Sequence, residues 1–176
     1  MFKIRITPLS AADIEQKVKW YNDPKVTQFL HYTEKFTVEK SLEWLKNIKM
    51  DQSRFENILK IYDDGWKSIG VIGLFNIDMT NKKAGFYITI GDVAYQGKGI
   101  AKAATLKFLD LCFKKFELNK IYLYTDIENI TAQKLYEKVG FQKEGLLRQE
   151  LYYNNRFIDR YYYGILKNEF KMGNGQ

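Results

Sequence analysis

The chain has 176 residues, 45% of them apolar, a single cysteine and a formal net charge of +7. That length supports a core without staples, so one domain over residues 1–176 is expected. Cys112 alone excludes an internal disulfide, no run reaches the ~18–20 apolar residues of a membrane span, and Met1 to Ser10 (MFKIRITPLS) lacks the apolar stretch of a secretion signal.

A cytoplasmic protein is therefore expected. The positive balance suits either plain solubility or a small polyanionic ligand. The lysines are scattered, and the densest pieces are only Lys82-Lys83 and Lys114-Lys115. This argues against a nucleic-acid groove. No metal is expected.

Residues 3–9 alternate polar and apolar and predict a strand. Ser10 then reads as an N-cap with Asp13 in the first turn, opening a helix that carries Ile14, Val18 and Tyr21 on one face. Pro24 ends it. A short helical piece over 26–30 leads to His31, and Thr37 caps a helix with Val38, Leu42, Leu45 and Ile48 at helical spacing. Strands follow over 57–62, 68–77 and 84–90, with turns at Asp63-Asp64-Gly65 and Thr80 to Lys83. A helix over 99–116 carries one stripe of Ala104, Phe108, Leu111 and Cys112, and a second of Leu106, Leu109, Phe113 and Phe116. Cys112 reads as packing. A strand at 121–127, a helix at 130–139 ended by Gly140, and a hairpin of 146–153 with 157–166 complete the chain. Strand 84–90, helix 99–116 and strand 121–127 form a βαβ unit, so those two strands should be parallel inside an otherwise hairpin-built, mixed sheet.

Between that strand and helix lies YQGKGIAKA, residues 95–103. A helix N-terminus offers unpaired N–H groups and about half a unit of positive charge, and glycine lets a phosphate approach them. A plain turn is the other reading. Two familiar phosphate cradles do not match. Gly99 stands where a Walker A loop needs Ser or Thr, and Lys102 stands where a dinucleotide fingerprint needs its last glycine.

Gln96, Gly99 and Ala101 do fit Q/R-x-x-G-x-G/A, which resembles the pyrophosphate loop of the GNAT superfamily of acyl-CoA N-acyltransferases. Asn129 to Phe141 (NITAQKLYEKVGF) resembles that family's N-x-x-A-x-x-L-Y-E-K-x-G-F signature at every stated position. Residues 144–166, EGLLRQELYYNNRFIDRYYYGIL, resemble the closing hairpin of the branch with ribosomal-protein and spermidine N-acetyltransferases. The likeness runs from about Ile69 to Leu166, with a looser one at WYNDPKVTQFL, residues 20–30.

The resemblance implies an α/β fold of mixed α+β type: a mostly antiparallel sheet around the parallel βαβ unit, with helices on both faces. It implies acetyl-CoA as co-substrate and a primary amine as acceptor, attacked directly on the thioester. Backbone N–H groups of Gly97, Lys98, Gly99, Ile100 and Ala101 would hold the pyrophosphate, with Gln96 opening the loop. Ile90 and Gly91 would pair with the pantetheine arm, and a bulge at Gly91-Asp92 would free N–H donors for the thioester carbonyl. Tyr136 matches the general acid that protonates the leaving thiolate, and it also fits an apolar stripe with Ala132, Leu135 and Val139. Asn129 would contact the cofactor arm or cap its helix, Ala132 belongs to the same signature on the cofactor side, and Lys138 would reach a nucleotide phosphate or sit in solvent.

One departure concerns the base. Many relatives carry an Ala-Glu pair before the loop, and here it reads Ala84-Gly85. His31, the sole histidine, is the candidate base, with Glu34, Asp126 and a water chain as alternatives. The acceptor is open among a small-molecule amine and a protein N-terminus, and a homodimer is open too. A catalytically silent CoA-binding sensor or partner-binding module of the same fold is the competing function.

Overall fold

A computed structural model describes residues 2–172. The strands are β1 (Ile4–Pro8), β2 (Phe55–Tyr62), β3 (Trp66–Asp78), β4 (Lys83–Ile90), β5 (Lys120–Asp126), β6 (Gln142–Tyr153) and β7 (Arg156–Leu166). The helices are α1 (Ile14–Tyr21), α2 (Pro24–Thr27), α3 (Val38–Ile48), α4 (Ile100–Lys115) and α5 (Ile130–Val139). One 7-stranded sheet runs in the order β1-β2-β3-β4-β5-β7-β6. Only β4 and β5 are parallel; every other neighbouring pair is antiparallel. Helix α4 supplies the crossover between these two parallel strands.

Side chains alternate across the strands and build two cores. On one face Ile58 and Val71 pack under Ile14, Trp20 and Tyr21 of α1 and Leu45 of α3. On the other, Leu59, Ile72, Phe86, Ile121 and Leu123 meet Ala104, Phe108 and Cys112 of α4 and Val139 of α5. Helices therefore cover both faces, as the sequence implied. Each fully buried Leu, Ile or Phe contributes roughly 1.5–3 kcal/mol.

Three sequence readings shift. The second helix starts at Pro24 rather than residue 26, because the Asp23 carboxylate accepts the Lys25 N–H at 2.9 Å and proline suits a first helical turn. Strand β6 begins at Gln142 rather than residue 146; register shifts near Lys143/Gly145 and Leu147/Leu151 break the alternation that would have revealed it. Leu111 is 41% exposed and leaves the stripe that its neighbour Cys112 keeps. Burial pushes the Cys112 thiol well up, so this cysteine is packing rather than a nucleophile.

A candidate active site where the sheet divides

The parallel ladder between β4 and β5 spans only Lys83–Lys120, Ala84–Ile121 and Gly85–Tyr122. Beyond it β4 stays with β3 and β5 with β7, so the sheet opens into a wedge. The Gly91 N–H donates to the Ile69 carbonyl at 2.8 Å. Antiparallel bonding alternates, so residues 91, 89 and 87 turn their backbone groups to β3, and residues 86, 88 and 90 turn theirs into the wedge. The Gln96 side-chain amide takes the Ile90 carbonyl at 2.9 Å, tying the loop to the end of β4. The Ile90 N–H faces the wedge beside it.

The expected bulge at Gly91-Asp92 is present, but it frees no donors. Both N–H groups converge on the Ile69 carbonyl, at 2.8 and 3.0 Å. Gly91 is glycine for another reason: a Cβ there would lie 2.2 Å from the ring of Trp20.

The loop after β4 is anchored by Tyr95, which is buried and donates its hydroxyl to Asp63 at 2.6 Å. Gly97 and Gly99 have φ of +71° and +76°, with nothing within 4 Å of the place a Cβ would occupy. Glycine is needed for the left-handed backbone, and the space before it is open. The Ala103 N–H makes the first helical bond, to Gly99 at 3.3 Å, so the N–H groups of Ile100 and Ala101 lie ahead of the hydrogen-bonded turns. A cavity of about 450 Å³ lined by Phe2, Ile4, Lys98, Gly99 and Ile100 adjoins them. Open glycines, unpaired donors and an exposed lysine fit an anionic cofactor end.

On α5 the Asn129 side chain accepts the Ala132 N–H at 3.1 Å, so the cap is formed. Ala132 packs partly buried against the core, and Lys138 points to solvent. Tyr136 is 8% exposed, set among Phe86, Phe141 and Tyr163 at ring distances of 6.4, 5.8 and 6.3 Å. Burial pushes its phenol up to about 12, while the Arg160 cation pulls the other way. It holds its proton at neutral pH.

His31 takes a left-handed backbone, φ +53°, uncommon for a residue with a side chain. Its Nε2 lies 2.5 Å from Asp126 Oδ2, with the two side chains only 7% and 4% exposed. Arg160 Nε stands 3.4 Å from the other carboxylate oxygen. The structure thus brings His31 to the C-terminal end of β5, beside the wedge. Glu34, by contrast, is exposed and pairs with Lys40 at 3.4 Å. Arg160 escaped the sequence reading. Its one signal is register, since it pairs with Asp126 across β5 and β7, and that needs the sheet order.

Gly85 faces the Phe75 ring, whose atoms would come within 2.3 Å of a Cβ. A glutamate there would have to displace that ring. Gly85→Glu is expected to destabilise by about 1–3 kcal/mol through overpacking. A melting temperature equal to wild type would contradict this. Among the described residues no group of three or more His, Cys, Asp or Glu is placed to hold a metal ion.

A GNAT acetyltransferase domain model matches residues 3–142. The N-acetyltransferase p20 of Bacillus licheniformis is 29% identical over 173 residues, covering 96% of this chain and 95% of that one. A spermidine N(1)-acetyltransferase of Escherichia coli K12 is 32% identical over 156 residues, covering 88% and 81%. The crystal structure of a spermidine N-acetyltransferase from Vibrio cholerae with CoA and spermine superposes with a TM-score of 0.88 at 26% identity, covering 94% and 96%. The divided sheet, the glycine loop at its mouth and these matches agree, and the chain belongs to the GNAT acetyltransferase family.

Proposed function

We propose that this chain moves the acetyl group of acetyl-CoA to a primary amine of a small polyamine-like molecule, in the cytoplasm. The carrying observation is the wedge between β4 and β5, which runs from an inward-facing Ile90 N–H to an open glycine loop. The two relatives that act on spermidine or hold spermine support the acceptor class. No helix of the described residues is long and apolar enough to cross a membrane.

Bound acetyl-CoA supplies a thioester, an acyl group already activated toward amines. The loop N–H groups at Gly97 to Ala101 hold the anionic end and orient it. The Ile90 N–H polarises the acyl carbonyl and stabilises charge developing on its oxygen. Gln96 keeps that strand end fixed. Tyr136 carries the proton for the sulfur, and its apolar setting excludes water from that exchange. His31 takes a proton from the incoming ammonium.

Thiol release measured with acetyl-CoA and a panel of amines tests this reading. The panel holds spermidine, spermine, an aminoglycoside, an amino sugar and a peptide with a free N-terminus. Release with the polyamines is expected. Release with the peptide alone would move the acceptor to protein N-termini, and binding of acetyl-CoA with no release from any amine would make the chain a silent binder.

A further inference from the structure

We propose that Asp126 is a positioning residue that holds His31 with Nε2–H bound and Nδ1 free as the proton acceptor, with the Arg160 cation flanking the same carboxylate. The inference rests on the reading of His31 as the base. Three observations carry it.

The contact is between Nε2 and a carboxylate, at 2.5 Å, in a setting almost closed to water. A carboxylate only accepts, so Nε2 must donate, and in the neutral ring the lone pair then belongs to Nδ1. That nitrogen is buried and has no hydrogen-bond partner. Leaving such an atom unpaired is costly, so its partner comes with the ligand, and an amine N–H is a fitting donor.

Arg160 supplies the third observation. Its Nε, buried and without a hydrogen bond, stands 3.4 Å from Asp126 Oδ1. It acts on the carboxylate as a charge. The charged or titratable groups facing His31 are Asp126 from β5, Arg160 from β7 beyond it, and Tyr153 from β6, whose ring packs edge-on at 4.9 Å. On its own segment Tyr32 stacks on Tyr21, and Glu34 is drawn to Lys40. The Tyr153 hydroxyl donates to the Tyr32 carbonyl at 3.2 Å.

The protons balance. The ammonium gives one proton to Nδ1, and the imidazolium formed is neutralised by Asp126 until it releases that proton to solvent. The free amine nitrogen forms the C–N bond as the C–S bond breaks. A second proton leaves that nitrogen and replaces the one Tyr136 gives to sulfur.

The test compares His31→Gln, Asp126→Asn, their double variant and Asp126→Glu in kcat and KM with an accepted amine. Asp126→Asn keeps an oxygen that accepts from Nε2–H and removes only the charge. It is expected to lower kcat roughly 10-fold or more and leave KM for acetyl-CoA unchanged. Asp126→Glu should restore part of the rate, and adding Asp126→Asn to His31→Gln should cost nothing more. If Asp126→Asn does not fold, Asp126→Glu decides the matter: with the carboxylate kept but moved off Nε2, kcat should fall below wild type while KM for acetyl-CoA holds. Normal turnover in His31→Gln would overturn the base itself. A crippled His31→Gln beside an Asp126→Asn with wild-type kcat, or beside an Asp126→Glu with wild-type kcat where Asp126→Asn does not fold, would overturn the positioning role alone. Multiplying losses in the double variant would overturn it too.

Discussion

Gly99→Asp is expected to fold and to lose the thermal stabilisation that acetyl-CoA gives the wild type. The position is left-handed, φ +76°, and no atom lies within 4 Å of the added Cβ. Aspartate visits that conformation more readily than most residues, so the strain is about 1 kcal/mol. A carboxylate at the start of α4 also meets the positive helix end, which returns a few tenths of that. The fold therefore survives. The same carboxylate occupies the open space before the loop and competes for its N–H donors. A ligand at 100 times its Kd stabilises the folded state by about 2.7 kcal/mol, a rise of about 5–10 °C for a chain of this size. In the variant the rise should be close to zero while the unliganded melting temperature stays within about 4 °C of wild type. A full ligand response in Gly99→Asp would place the pyrophosphate elsewhere.

What the sequence revealed and what it hid follows from distance along the chain. The glycine loop, the Asn129 cap, the Gly140 stop and the Tyr136 stripe are local patterns, and the structure gives helix α5 the same bounds as the pattern did. The Tyr136 ring is part of the core, and that burial pushes its phenol up. The His31–Asp126 contact joins residues 95 apart, and no local spacing encodes it. It exists because His31 leaves the α2 region left-handed and because β5 ends where the sheet divides. Glycine roles were also hidden. Gly91 reads as a bulge site in the sequence and Gly85 as a missing glutamate, yet each lies against a ring, Trp20 and Phe75, from another element. At Gly85 the space a side chain would take is filled by the Phe75 ring, and the His31–Asp126 pair is buried at the end of β5.

Tyr136→Phe separates an enzyme from a silent binder. The change removes one hydroxyl and keeps the ring that packs against Phe86, Phe141 and Tyr163. If the tyrosine only filled the core, the loss would be at most one hydrogen bond, about 0.5–1.5 kcal/mol of stability, and turnover would hold. As the acid that protonates the departing thiolate, its removal should lower turnover roughly 10²-fold or more. Acetyl-CoA should still raise the melting temperature as in the wild type, because the glycine loop is untouched. The pH dependence follows from the same burial. A phenol pushed up to about 12 loses its proton only as pH rises toward that value, so Tyr136 contributes no basic limb near neutral pH. Its removal should therefore scale the wild-type profile down without moving its limbs. Near-normal turnover in Tyr136→Phe, measured with an amine the wild type accepts, would remove the tyrosine from the mechanism and leave the thiolate to depart without a proton from the protein.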